Sequence, residues 1–278
     1  MGIILGIDVG GSTTKIVGVN DGNCFGMIQV GAADQITSMY GAIGSLLSRY
    51  KYSPRDVSRI YLTGVGASFI NEQVYGIETI KVNEFSAIGF GALRLTGLKE
   101  AMVVSMGTGT AFVRVSDNEA VHLGGSGVGG GTIIGLALQM LGKRDVDAVI
   151  ALAKEGDLKN VDLLVSDILC NSVQSLPFDL TAANFGKISS TVSDSDIALG
   201  ILNMVFETVG MLAVFAVKND TVRDIIVTGT LAKFPQAEMV FSRFNKLAGL
   251  NFIIPQDAVF ATALGAIDVS SQLQLSQE

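Results

Sequence analysis

The chain is poor in the residues from which most metal and redox centres are built. Its 278 residues include two cysteines, Cys24 and Cys170, and one histidine, His122. Neither cysteine belongs to a metal-ligand spacing, so zinc and iron–sulfur chemistry has almost no ligands available. A reduced, cytoplasmic setting is the expectation. Basic residues are also few: 19 Lys and Arg against 26 Asp and Glu leave a net charge of −7, with no basic tract. A nucleic-acid polyanion needs clustered cations, so no nucleic-acid partner is expected. The first apolar segment lacks the basic region that opens a signal peptide. Met-Gly opens the chain, but Gly6 stands where a myristoylation motif wants Ser or Thr. There is no low-complexity linker and no long charge run.

Apolar residues, by contrast, make up 49% of the chain against 16% charged, enough to fill a substantial core over about two domains. One stretch, "IALGILNMVFETVGMLAVFAV" (197–217), has the length of a membrane span, with Glu207 its only charge. Asn203, Glu207 and Thr208 inside it, and the capping cluster Ser193, Asp194 and Ser195 before it, suit a buried helix better. No membrane is expected, and the helix equally suits a dimer interface.

Two stretches echo each other. "IILGIDVGGSTTKIVGV" (3–19) and "AMVVSMGTGTAFVRV" (101–115) are both an apolar strand, a Gly/Thr-rich turn and a second apolar strand. That is the pattern of a tight β-hairpin, so two halves begin alike. After the first, Ile36, Tyr40, Ile43, Leu46, Leu47 and Tyr50 recur at helical spacing. A strand "RIYLTG" (59–64) and a helix from Glu84 to about Leu95 follow. After the second come a glycine cluster, a helix from Thr132, a polar stretch over 155–195, the long apolar helix and the strand "DIIVTG" (224–229). Strands alternating with helices indicate an α/β layered fold. The boundary is expected near Gly97, giving an N-terminal half 1–97 and a C-terminal half 98–278.

The turns have the chemistry of anion cradles. In "GIDVGGSTTK" (6–15), Gly10 and Gly11 let the backbone present N–H groups without Cβ interference, Ser12, Thr13 and Thr14 add donors, and Lys15 adds charge. Asp8 at the strand end suits Mg²⁺, which takes one or two carboxylates together with phosphates and water. A plain Gly-Gly hairpin turn would look the same. The second turn, "GTGT" (107–110), sits at the equivalent place, so the pair suggests two phosphate loops facing across a cleft. "GGSGVGGG" (124–131) has six glycines in eight residues and runs straight into "TIIGLALQML", a glycine-rich helix entry of the kind that holds phosphate. "VTGT" (227–230) is a further strand ending in Gly.

Phosphoryl transfer to an alcohol calls for a carboxylate near the attacking hydroxyl. Glu84, in "VNEFSAIGFGALRL" (82–95), stands where a strand gives way to a helix. An acid in the first turn after Asn83 is also simply favourable to a helix dipole. The pattern leaves both readings open.

Taken together, "GIDVGGSTTK", "NEFSA", "GTGTA", "GGSGVGGGTIIGL" and above all "DLTAANFG" (179–186) resemble the type II pantothenate kinases of bacteria and their eukaryotic relatives, in order and spacing across essentially the whole chain. The resemblance implies an actin-like (ribonuclease H-like) ATPase fold, two βββαβα-type halves with a nucleotide cleft between them. It implies ATP with Mg²⁺, pantothenate phosphorylated on its terminal hydroxyl as the first step to coenzyme A, and a homodimer. Asp8 would lie by the metal and Glu84 would be the general base. Val9, Gly10, Gly11, Ser12, Thr13, Thr14, Lys15 and Ile16 would form the first ATP loop. Thr108, Gly129, Gly130, Gly131, Thr132, Ile133, Gly229 and Thr230 would contact ATP from the other half. The family usually has Ser at the position of Ala111 and Arg at that of His122, on the acceptor side. Imidazole lacks the fixed fork of donors of a guanidinium. Another small hydroxylated acceptor, a nucleotide-driven activator of 2-hydroxyacyl-CoA dehydratases, and a non-catalytic nucleotide-binding regulator are the alternatives. The activators hold an iron–sulfur cluster on paired cysteines, which Cys24 and Cys170 do not resemble.

Overall fold

A computed structural model describes residues 2–168 and 180–275; Cys170, and Asp179 at the head of "DLTAANFG", lie outside the described residues. The first hairpin is β1 (Ile3–Val9) and β2 (Thr13–Asn20), in a register that sets Asp8 opposite Lys15. β3 (Asn23–Gly31) continues the antiparallel meander through Asp21 and Gly22, both at positive φ (47° and 81°). Such a two-residue turn matches the twist of the strands it joins. Helix α1 (Gln35–Arg49) is capped by the Asp34 carboxylate, which accepts from the Thr37 N–H at 2.7 Å. It buries Met39, Ala42, Ile43, Leu46 and Leu47, while Ile36, Tyr40 and Tyr50, also in the apolar spacing, stay exposed. The chain returns in β4 (Val57–Thr63), parallel to β1, then β5 (Thr79–Lys81) and helix α2 (Glu84–Thr96). α2 starts on the Asn83 side chain and stops at Gly97, whose φ of 70° ends the helix.

The second half repeats the plan with insertions. β6 (Glu100–Met106), β7 (Thr110–Ser116) and β8 (Ala120–Ser126) form the second meander. Helices α3 (Gly130–Leu141) and α4 (Val146–Ala153) follow, then a small ribbon of β9 (Leu163–Leu164) and β10 (Thr181–Ala183) with α5 (Val165–Ile168) between them in sequence. Helix α6 (Asp194–Ala216), β11 (Asp224–Thr228), α7 (Pro235–Ala248), β12 (Asn251–Ile253) and α8 (Ala261–Leu275) complete it. The two five-stranded sheets run β3-β2-β1-β4-β5 and β12-β11-β6-β7-β8, the same order with β6, β7, β8, β11 and β12 replacing β1 to β5. The echo between the two hairpins is therefore an echo between whole sheets.

Each sheet is apolar on both faces. Leu5, Ile7, Ile16, Ile60 and Leu62 pack under α1, while Val17, Val19 and Tyr61 on the other face meet Ala263, Leu264 and Ile267 of α8. In the second sheet Met102, Val104, Ile225 and Val227 join the core of α3, α4, α6 and α7, and Val103, Val113, Val115 and Ile226 meet Ile88, Ala92 and Leu93 of α2. α2 and α8 thus lie together between the sheets. The strands of the two sheets lie on either side of Gly97 in sequence, while the packing crosses it: α2 covers the second sheet, and α8, from the end of the chain, covers the first.

One boundary is adjusted. α3 starts at Gly130, not Thr132, because glycine at the entry does not prevent the turn from closing. The long helix passes the length and composition test for a membrane span, yet Ile201, Leu202, Val205, Phe206, Val209 and Ala213 are buried against its neighbours. Its polar residues also have partners. Asn203 Nδ2 donates to Asp162 Oδ2 at 3.0 Å, and Glu207 Oε1 accepts from Thr181 Oγ1 at 3.0 Å.

Where α2 crosses α8 the backbones touch. A Cβ placed on Gly91 would stand 1.8 Å from the Ala261 carbonyl oxygen, and one on Gly265 1.9 Å from that of Ala87. Gly91→Ala and Gly265→Ala are therefore expected to lose about 3 kcal/mol each and to lower Tm by roughly 6–10 °C. Gly41→Ala and Gly44→Ala, in α1 with nothing within 4 Å of the added atom, should instead gain about 0.5 kcal/mol. Denaturant unfolding of the four variants checks the contrast in sign.

Candidate functional site

The two first turns face one another across a cleft of about 950 Å³. In the first, the Gly10 N–H closes on the Thr13 carbonyl at 3.0 Å; in the second, the Gly107 N–H closes on that of Gly109 at 2.9 Å. Ser12 Oγ and Thr108 Oγ1 hydrogen-bond at 2.9 Å, so the turns touch across the gap. A second link joins the halves further along, where Gln29 Nε2 donates to Thr230 Oγ1 at 3.3 Å.

Of the expected residues, Asp8, Gly10, Gly11, Ser12, Thr13, Lys15, Glu84, Thr108, Ala111, His122, Gly130, Gly131, Gly229 and Thr230 line this cleft. The others do not present side chains to it. Val9, Ile16 and Ile133 are core, and Thr14 is buried with its hydroxyl on Ser38 Oγ at 2.9 Å. Strand alternation accounts for Val9, Thr14 and Ile16, since Asp8 and Lys15 face the cleft and their neighbours must face away, while Ile133 lies on the buried face of α3. Gly129 lies behind the lining, where a Cβ would be 2.8 Å from the Thr108 carbonyl oxygen. Thr132 turns its hydroxyl back onto the Gly127 carbonyl at 3.0 Å. The N–H groups of Gly130 and Gly131 are themselves engaged, donating to the carbonyls of Gly107 and Thr108 at 2.9 Å each. The glycine cluster therefore serves first to bring α3 against the second turn.

Gly64 and Gly229 occupy equivalent places after β4 and β11, with φ of 88° and 87°. Both need glycine on two counts: the left-handed conformation, and lack of room. A Cβ on Gly64 would come within 2.5 Å of Asp8 Oδ1, and one on Gly229 within 2.5 Å of the Met106 carbonyl oxygen.

Charge is concentrated at the floor. Asp8 Oδ2 accepts from Lys15 Nζ at 3.1 Å, both side chains being nearly closed off from solvent. Glu84, the first residue of α2, lies on the same wall. Burial pushes its carboxyl above the usual range, and the Asp8 charge pushes it the same way, while Lys15 partly offsets both. Beyond Glu84 the wall is formed by Ile88, Ala111, His122 and Gly125, with the His122 ring stacked on Phe85. Among the described residues no group of three or more His, Cys, Asp or Glu is placed to hold a metal ion.

Sequence reasoning passed over Gln29, Arg144, Asp147 and Lys233, all of which line the cleft. Gln29 was within reach, because it pairs with Lys15 across β2 and β3 and so shares its face. Arg144 sits in the loop after α3, and Lys233 Nζ stands 3.8 Å from Asp147 Oδ1; nothing in their spacing marks them.

Known proteins with this sequence pattern and fold have been identified. Residues 96–243 match the Fumble family model. Across nearly its whole length the chain is similar to a type II pantothenate kinase of Bacillus cereus (strain G9842), 28% identical over 273 residues, 95% of this chain and 97% of the relative. A type II pantothenate kinase of Oceanobacillus iheyensis is 26% identical over 272 residues, covering 95% and 98%. Among solved structures, the activator of the 2-hydroxyisocaproyl-CoA dehydratase from Clostridium difficile, with bound ADPNP, superposes with a TM-score of 0.70 at 16% identity over 99% of this chain and 97% of that one. A ROK family glucokinase from Streptomyces griseus, in complex with glucose and AMPPNP, gives 0.59 at 12% identity over 98% and 100%. The fold is that of the actin-like ATPases.

The Asp8–Lys15 pair yields a stability prediction. Lys15→Met leaves the Asp8 carboxylate buried without its cation, for an expected loss of about 3–5 kcal/mol. The double variant Asp8→Asn with Lys15→Met should recover most of that loss. Urea unfolding of the four proteins of the cycle measures the coupling; additive losses would count against it.

Proposed function

The chain belongs to the Fumble family, and from that premise we propose that it is a kinase transferring the γ-phosphoryl group of ATP to the terminal hydroxyl of pantothenate, giving 4′-phosphopantothenate. One observation carries the assignment of roles: a half-buried carboxyl, Glu84, stands at the cleft wall with Asp8 and Lys15 beside it.

ATP fits the cleft by size and by the open face of its first turn. Pockets of ~300–1,000 Å³ hold ligands of this class, and a Cβ on Gly11 would meet nothing nearer than Thr108 Oγ1 at 4.0 Å, so the backbone is open to phosphate. Gly10, Gly11, Ser12 and Thr13 receive the phosphates from one side and Thr108 from the other, with Gly229, Thr230 and the wall of Arg144 and Lys233 toward the nucleoside. Mg²⁺ fits a donor set of one carboxylate with phosphate and water oxygens, and Asp8 supplies that carboxylate; the ion would neutralise charge on the transferred group. Glu84 accepts the proton of the acceptor hydroxyl as its oxygen forms a bond to the γ-phosphorus. The bond from that phosphorus to the bridging oxygen breaks, and ADP leaves with the electron pair. Ala111, His122 and Gly125 border the acceptor end.

The acceptor end carries small groups and an imidazole, which also suits another small hydroxylated acceptor, so a panel of alcohols belongs in the same assay. A homodimer in the cytoplasm completes the reading. The last turns of α6 support the dimer, because Met211, Leu212 and Phe215 are exposed there, Phe215 by 62%.

The test is ADP release with Mg-ATP, with and without pantothenate. Pantothenate-dependent release is expected, and Glu84→Gln should lower kcat by about 10²–10⁴-fold while ATP binding is kept. Tight ATP binding with no acceptor-dependent turnover, or an indifferent Glu84→Gln, would overturn the proposal. The pH profile has a definite sign. Glu84 acts ionised, so the rate falls as pH drops through its raised pKa, and the acid limb of kcat/KM should lie above the ordinary glutamate value of about 4.3. An acid limb at or below that value would remove Glu84 from the role of base.

A further inference from the structure

Glu84 is the first residue of its helix, a place where helices fray, yet its carboxyl must be held steadily against the cleft. The neighbouring residue shows what holds it. Phe85 packs on one side against the cluster of Ile88, Ala92, Val113 and Val115. On the other it carries the His122 imidazole, ring centroids 3.7 Å apart and planes within 8°. The ring is put there by the register of the second sheet. Val113 pairs with His122 and Phe112 with Gly124, so Leu123 is an extra residue, and Gly124 takes a φ of 151°. Residues directly opposite in an antiparallel pair share a face, so the pairing sets His122, with Val113, on the face that α2 covers. Because of the extra residue, Gly125, opposite Ala111, lies on that same face.

We infer that His122 is a positioning residue for Glu84: stacked on Phe85 from the facing sheet, its ring fixes the first turn of α2, from which the carboxyl enters the cleft. The inference rests on the assignment of Glu84 as the base, but its contact is testable without turnover. His122 is the single histidine of the chain, so its imidazole C–H signals are unambiguous in a proton–carbon NMR spectrum of the full-length protein. Stacking on Phe85 places them upfield of an exposed imidazole, and Phe85→Leu should return them to the exposed position. In His122→Ala the amides of Ser86 and Ala87, bonded to the Asn83 side chain and carbonyl, should exchange with deuterium faster than in the wild type.

Kinetically, His122→Ala should lower kcat about tenfold with KM for ATP unchanged. His122→Phe and His122→Tyr should recover kcat relative to His122→Ala, whereas His122→Gln should behave as His122→Ala. The opposite order, glutamine active and phenylalanine not, would make His122 a hydrogen-bonding ligand of the acceptor and overturn the inference. Wild-type signals at the exposed position, or unchanged exchange in His122→Ala, would overturn it as well. Wild-type protein that shows the upfield signals but no turnover with pantothenate would refute the proposed activity, leaving the spectrum and the exchange rates to decide the stack.

Discussion

The two sheets meet through one pair of helices, α2 and α8, whose backbones touch because Gly91 and Gly265 carry no side chain. Most of what matters in the cleft follows from that crossing. It fixes how far apart the sheets stand, and hence the reach between the turn at Gly10–Ser12 and the turn at Gly107–Gly109. Because α2 is anchored against both α8 and the second sheet, its first turn is held at the cleft edge, with Glu84 as its leading residue. Gly6 extends the same contact into β1, since a Cβ there would lie 2.1 Å from the Ala263 carbonyl oxygen. Such close approach couples the spacing of the halves to a few small residues outside the two turns. Any motion that opens the cleft must also shear this helix pair, and must break the hydrogen bonds of Ser12 with Thr108 and of Gln29 with Thr230.

Much of this was legible in the sequence, for identifiable reasons. The strands of both hairpins are continuous apolar runs that end in glycine and threonine, and a sheet covered on both faces demands such runs. Asn83 and Gly97 punctuate α2 from cap to cap. The packing partner of α8 was not legible, because periodicity shows that a helix has an apolar face but not which sheet will cover it. Thr14 and Ile16 illustrate another limit. A motif written as a string treats neighbours as equals, whereas a strand sends every second side chain to the far face, and here that face is the core. The glycine cluster at 124–131 was expected to receive phosphate. Its first service is steric, because Gly129 and Gly130 let α3 lean on the carbonyls of the second turn.

The fold alone does not choose among activities. A dehydratase activator and a sugar kinase share it at TM-scores of 0.70 and 0.59, with identities too low to carry function. What separates the readings is the furniture of the cleft. The proposed phosphoryl transfer asks for a carboxyl near the acceptor hydroxyl, and Glu84, half-buried in the cleft wall, is the group proposed for it. The iron–sulfur cluster that the activator alternative implies would need paired cysteines; Cys24, the one cysteine among the described residues, is exposed on the β3 strand.

The segment that most strengthened the family resemblance, "DLTAANFG", shows why polar residues in an apolar run repay attention. Its described part is tied to α6 and to Asp162. Thr181 bonds to Glu207, and Asn203 bonds to both Thr181 and Asp162. The Phe185 N–H donates to Asp162 Oδ1 at 2.8 Å while Phe185 holds a φ of 58°. A bulky residue in the left-handed region costs about 1–3 kcal/mol, and persists only where its surroundings over-determine it. Burial raises the carboxyls of Asp162 and Glu207 above their usual range, so these acids are themselves held at some cost. Asn203 and Glu207 are thus in the helix because a particular neighbouring segment must be fixed to it. A lipid-facing helix would have no such partners to offer, so the same residues that interrupt the apolar run also explain why it belongs inside a protein.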